Sequence, residues 1–156
     1  MCIVVDINTL APVFSENCRR HQDFLDIKKW INAGKGFLVY GGTKYKNELG
    51  KTRYLKLIRL MKDAGRAVPI RDDVVNSMET ALLTQTKGTK CDDQHIIALL
   101  GASWCPLFCS ADLRSFDYIK DRSFFPSGMP QVRIYTSARN ADLLKRMSRN
   151  MLKNLA

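Results

Sequence analysis

The 156 residues, 46% of them hydrophobic and 26% charged, suffice for one domain with its own core, which excludes disordered and fibrous classes and removes the need for disulfides or a structural metal. A single domain over residues 1–156 is expected. The excess of basic side chains, +10 in formal charge, favours polyanionic partners, of which nucleic acid is the commonest in a cytoplasm and an acidic protein the alternative.

The chain opens on an apolar run, Cys2 to Val5, which stops at Asp6 and has no basic segment before it. The run is too short for a secretion leader and reads as a first strand, so the chain is expected in the cytoplasm. Further runs of β-branched and aromatic residues are Phe37 to Tyr40, Leu107 to Cys109 and Val132 to Tyr135, each continuous rather than alternating. Such runs suit strands covered on both faces. Val68 to Ile70 offers another short strand, weakened by Pro69. Between the strands Tyr54, Leu57, Ile58 and Met61 recur at helical spacing, and Leu144, Met147, Met151 and Leu155 do so near the C-terminus. Asp72 and Asp73 before Val74, and Asp92 before Ile96, mark helix starts, with Gly101 near the end of the second helix. The stretch Ile96 to Phe108 is interrupted by Gly101, Ser103 and Pro106 and falls short of the ~18 apolar residues of a membrane span. Strand and helix alternate throughout, which predicts an α/β fold with a mostly parallel sheet and helices on both faces, because each parallel pair needs a crossover.

Acidic residues follow the strands. Asp6 ends the first, Asp112 lies just past Leu107 to Cys109, and Glu48 stands beside the end of Phe37 to Tyr40. Ligands of open α/β sheets bind at these carboxyl ends. Asp92 and Asp93 open an apolar helix, so one can cap it while the other serves a different task. Carboxylates brought together repel one another unless hard cations such as Mg²⁺ or Mn²⁺ compensate them, and such ions convert bound water into a nucleophile toward phosphodiesters. Five cysteines without a CxxC pair and only two histidines leave oxygen as the expected ligand for a metal and the thiols as reduced.

Val-Val-Asp6-Ile-Asn8-Thr9 resembles the opening Asp-x-Asn signature of PIN domains, Asp93-Gln-His-Ile-Ile-Ala98 is similar to their "DDxHIxAL" helix, and Cys-Ser110-Ala-Asp112 is similar to their strand-ending Thr/Ser-x-Asp. The three motifs run in the family's order from Asp6 to Asp112. This resemblance implies a three-layer α/β/α sandwich and a metal-dependent ribonuclease, often the VapC-type toxin of a toxin–antitoxin pair. It implies Asp6, Glu48, Asp93 and Asp112 as the ligands of Mg²⁺ or Mn²⁺, with Asn8 and Ser110 supporting them by hydrogen bonds. Glu48 is chosen because it follows the second strand. Many members carry another acid just after the Asp112 position, where this chain has Leu113, Arg114 and Ser115; either Asp117 substitutes or a second metal is weakly held. RNA is the expected substrate, and an antitoxin protein and further copies of the chain are the other partners the resemblance brings.

Lys44, Lys46 and Lys51 flank Glu48 and are expected to hold phosphate near the metal. Arg53, Lys56, Arg59 and Lys62 read as a solvated helix face, His95 as a hydrogen-bonded, half-buried histidine, and Trp30 and Trp104 as packing residues. The competing function is a PIN-like module that binds RNA without cutting it.

Overall fold

The computed structural model describes residues 1–145, so Met147, Met151 and Leu155 of the expected C-terminal pattern lie outside the described residues. Strands β1 (Cys2–Val5), β2 (Phe37–Gly41), β3 (Ala67–Ile70), β4 (Leu107–Cys109) and β5 (Arg133–Tyr135) form one sheet in the order β3-β2-β1-β4-β5. Every pairing is parallel. The helices between them are α1 (Leu10–Phe14), α2 (His21–Asn32), α3 (Thr43–Gly50), α4 (Leu55–Asp63), α5 (Asp72–Gln85), α6 (Gln94–Ser103) and α7 (Phe116–Lys120).

Burial explains the continuous apolar runs. Ile3, Val4 and Val5 of β1 and Leu107, Phe108 and Cys109 of β4 are all buried, as strands sandwiched between helical layers must be. On one side α6 packs on β1, β2 and β3 and carries α5 outside it. Eight successive residues of α6, Gln94 to Gly101, are buried, so this helix is apolar all round rather than striped. From α2, the Phe24 ring meets Tyr135 of β5 at 5.9 Å between centroids. The architecture is the α/β/α sandwich expected from the alternation of elements. Pro69 sits in β3, an edge strand, where a missing N–H is tolerated. Among the described residues no helix is long and apolar enough to cross a membrane.

The helix starts differ from the sequence expectation. Arg71, not Asp72, takes the N-cap position of α5, and Asp93, not Asp92, takes that of α6 without a side-chain cap bond. The carboxylates are drawn elsewhere: Asp72 Oδ1 accepts the Gly42 amide at 3.0 Å. Asn76 Oδ1 likewise accepts the Thr43 amide at 3.0 Å. Two side chains of α5 thus satisfy orphan N–H groups at the start of α3, which fixes the helix that carries Glu48. Gly101 lies near the end of α6, as expected, in a close approach to α5, where a Cβ would come within 2.9 Å of Met78 Cε. Trp104, at φ 53°, takes the C-cap position and is 51% exposed, so it is not a core residue. Trp30 is buried.

The link from β2 to α3 requires its two glycines. Gly41 has φ +152° and a Cβ on it would lie 2.4 Å from the Ile70 carbonyl oxygen; Gly42 has φ +86° and its Cβ would lie 2.6 Å from Val75 Cγ1. Left-handed backbone and overpacking then act together against any side chain. Gly42→Ala is expected to lower the unfolding free energy by about 2–4 kcal/mol, whereas Gly50→Ala, with nothing within 4 Å, should change it by less than about 1 kcal/mol. Urea denaturation of the two variants checks the contrast.

Candidate active site at the carboxyl edge of the sheet

The strand order reverses at β1: the chain moves outward through β2 to β3, then returns to the other flank with β4 and β5. A crevice opens at such a switch point, outside the carboxyl ends of the two diverging strands. Asp6 and Asp112 stand at its two lips. The ladder carries Asp6 to its place, since the Asp6 amide donates to the Cys109 carbonyl at 2.9 Å, and the Ser110 amide continues it to Tyr135 at 3.1 Å.

Ser110 joins the strand ends. Its fully buried hydroxyl donates to Asp6 Oδ2 at 2.9 Å and accepts the Asp112 amide at 3.0 Å. Asn8 also supports Asp6, but through its backbone amide; the side chain itself is exposed. Burial raises the Asp6 pKa above its ordinary value, the bonds from Ser110 and Asn8 oppose that rise, and the charges of Asp112 and Glu48 add to it. Asp93 is pushed up to about 6, first by burial and then by Asp92, Asp6 and Asp112, with Lys44 acting against them. The four sequence-derived acids Asp6, Glu48, Asp93 and Asp112 therefore share one electrostatic neighbourhood.

Beneath them lies Tyr45 of α3, fully buried, whose hydroxyl donates to the Val5 carbonyl at 2.7 Å. Burial first, and then the neighbouring Asp6 and Glu48, hold this phenol neutral. Glu48 follows three residues later, on the same face of the helix. Its Oε2 is 3.5 Å from Nε2 of His95. Burial and the Lys44 charge depress the His95 pKa to about 4, so at neutral pH the contact joins a carboxylate to an uncharged ring rather than forming an ion pair. His95 Nδ1 is buried with no hydrogen-bond partner among the described residues, which departs from the hydrogen-bonded histidine expected there.

Asp112 is occupied. Arg114 Nε and Nη2 fork onto its two oxygens at 3.1 and 3.0 Å, and the Arg114 amide adds a third bond at 3.0 Å. These contacts hold the carboxyl below its usual pKa. Among the described residues no three His, Cys, Asp or Glu side chains converge closely enough to hold a metal ion.

The expected basic residues divide. Lys44 and Lys51 line an open groove of about 520 Å³ together with Glu48, Asn76 and Thr80. Lys46 is directed to Asp72 Oδ2 at 2.9 Å, where it braces α3 against α5 instead of facing the acids. Asp117 is exposed in the first turn of α7 and is not among the charges that shift Asp6 or Asp93. The chain matches no protein-family model, no curated protein and no solved structure. Tyr45 and Arg114 escaped the sequence reading; only the two-residue spacing of Asp112 and Arg114 hinted at the fork.

The raised pKa of Asp93 makes a signed prediction. An unfolded carboxyl titrates at 3.8 and the folded one at about 6, so the charged form penalises the fold: the cost is absent below 3.8, grows through that window and is complete above about 6. Asp93→Asn removes it. Allowing for solvent screening, the variant should gain on the order of 1–2 kcal/mol at pH 7.5 in the absence of divalent ions and nothing at pH 3.5. Thermal melts at the two pH values, with chelator present, measure the difference.

Proposed function

We propose that the chain is a PIN-like, metal-dependent endoribonuclease whose acidic site hydrolyses RNA phosphodiester bonds. The observation that carries this reading is the placing of acids at the switch point of a parallel sheet, where burial raises Asp6 and Asp93 and neighbouring acids add to the rise, Asp112 and Glu48 on Asp6 and Asp6 and Asp112 on Asp93. Carboxylates that raise one another's pKa gain from a hard dication. By ligand type the acids suit Mg²⁺ or Mn²⁺, being all oxygen, and the nearby Cys109 thiol is fully buried and held protonated, although no three of these side chains among the described residues stand close enough together to hold an ion as they are. Asp6, Asp93 and Asp112 would have to draw together around the ion, with Glu48 beside them, and the ion would supply an acidified water and charge neutralisation at phosphate. Ser110 keeps Asp6 oriented. Lys44 contributes positive charge where a phosphate would approach.

RNA is the proposed substrate, with the cytoplasm as the proposed location. A restraining antitoxin-type protein and self-association are the partners that this reading adds. One observation favours a second reading, RNA binding without cleavage: Arg114 already compensates Asp112. The two readings separate by experiment.

Purified protein is expected to cut single-stranded RNA in Mg²⁺ or Mn²⁺ and to be silent in EDTA, with Asp6→Asn inactive under all conditions. Cleavage that survives chelation removes the mechanism; absence of cleavage in saturating Mn²⁺ moves the chain to the binding reading. Arg114→Gln frees the Asp112 carboxylate, and should lower the Mn²⁺ concentration for half-maximal cleavage by a few-fold, roughly threefold given how weakly exposed ion pairs compete. A Mn²⁺ titration of activity checks this, and an unchanged or raised midpoint argues against Asp112 as a ligand.

A further inference from the structure

We infer that a second groove, along the outer side of β5, is a binding track for single-stranded nucleic acid leading to the carboxyl edge of the sheet; the inference rests on the ribonuclease reading for what lies at its end. The groove has a volume of about 730 Å³ and is lined by Lys120, Arg122 and Arg133 among other residues. All three cations are exposed, and among the described residues no salt bridge engages any of them. Elsewhere on the molecule Arg20, Lys46, Arg71 and Arg114 each stand against an aspartate. Three unneutralised cations around one cleft concentrate positive potential there.

The walls suit a nucleotide chain rather than a bare anion. Phe116 lines the groove with a half-buried ring, and Lys120 Nζ lies 5.9 Å from its centroid, so a flat apolar surface stands next to a cation. Bases stack on such rings while cations track the backbone. Asn140 also lines the groove. Its Oδ1 accepts the Thr136 amide at 2.8 Å, the Thr136 hydroxyl at 2.9 Å and the Ser137 amide at 3.3 Å, which leaves the amide NH₂ as a donor.

Position connects the groove to the acids. Arg133 begins β5 and Thr136 follows its end, so the groove runs the length of the strand. Cys109 pairs with Tyr135 in the register of β4 and β5, and Ser110 donates its amide to Tyr135. Thr136 thus emerges at the same edge as Ser110 and Asp112. On the opposite wall, Phe116 begins α7 four residues after Asp112. A strand lying along β5 reaches the acidic edge without crossing another element of the sheet.

The test uses the full chain carrying Asp6→Asn, so that binding is read without cleavage, and a short fluorescent oligouridylate as probe. Replacing Lys120, Arg122 and Arg133 together by Gln should weaken binding at least about tenfold near physiological salt and lower the slope of log affinity against log salt by roughly 2, from three lost phosphate contacts at ~0.7 each. A control with Lys56, Arg59 and Lys62 of α4 replaced by Gln removes the same net charge from a different face, and should stay within about twofold of the parent. Charge-preserving Lys120→Arg, Arg122→Lys and Arg133→Lys should restore affinity. The inference is overturned if the groove variant, folded by circular dichroism, binds like the parent, if the α4 variant weakens binding equally, if a matched duplex binds as tightly, or if polyglutamate displaces the probe as well as polyuridylate does. Parent protein that fails to cut RNA in Mn²⁺ while the groove variant still loses binding would sink the ribonuclease reading alone.

Discussion

A single buried hydroxyl sets the geometry of the carboxyl edge. Ser110 Oγ stands between the ends of β1 and β4, giving a hydrogen bond to Asp6 and receiving one from the Asp112 amide. Both strands are short; the last ladder bonds, from the Asp6 amide to Cys109 and from the Ser110 amide to Tyr135, fix the strand ends, and the Ser110 hydroxyl ties the Asp112 backbone beyond them to the Asp6 carboxylate. The cost of placing a half-buried carboxylate there is offset in part by that bond and by the Asn8 amide. Tyr45 acts from below on the same strand end, tying α3 to Val5 and thereby bringing Glu48 under the influence of Asp6. Fold and site are coupled through these two hydroxyls.

The remaining charge is handled unevenly. Asp112, the more exposed acid, is compensated by Arg114 and held ionised, whereas Asp93 has Lys44 only at a distance and is raised to about 6. Neighbouring carboxyls with pKa values driven apart by environment are the pattern expected of a functional site. Their location agrees with that pattern: the acids lie at the switch point of the sheet, and a cluster with no task would gain from being dispersed over the surface.

The strands were readable from the sequence because burial on both faces leaves a local trace. Cys2 to Val5 and Leu107 to Cys109 coincide with β1 and β4, and the other runs differ from their strands by one residue. The places of Asp6, Asp93 and Asp112 were readable for a related reason, since Asp6 directly follows β1, Asp93 directly precedes α6 and Asp112 lies three residues past the end of β4. Helix starts were less so. An aspartate before a helix looks like a cap, but Asp72 bonds an amide 30 residues away, and no local pattern reports a long-range partner. The same limit applies to Lys46, which shares Asp72 and therefore turns from the acids it was expected to serve. His95 illustrates a mixed case: its helix position implied burial, which is the larger cause of its neutral state, while the added push from Lys44 comes from another element.

Arg114 bears on how such a site would respond to a cation. Its guanidinium lies at the surface and is exposed, where the energy of an ion pair is reduced by water and salt. The fork can satisfy Asp112 alone; one guanidinium delivers one charge, and Asp6 and Asp93 remain uncompensated and raised. A dication would carry twice the charge in a smaller volume and could be shared by several carboxylates at once, so its advantage would grow with each acid it engages. The arginine is therefore suited to keeping Asp112 ionised and in place at the edge of the crevice, while leaving the deeper acids to a partner of higher charge. A lysine at this position would lack the planar fork and its second hydrogen bond, and would define the direction of the Asp112 carboxylate less well.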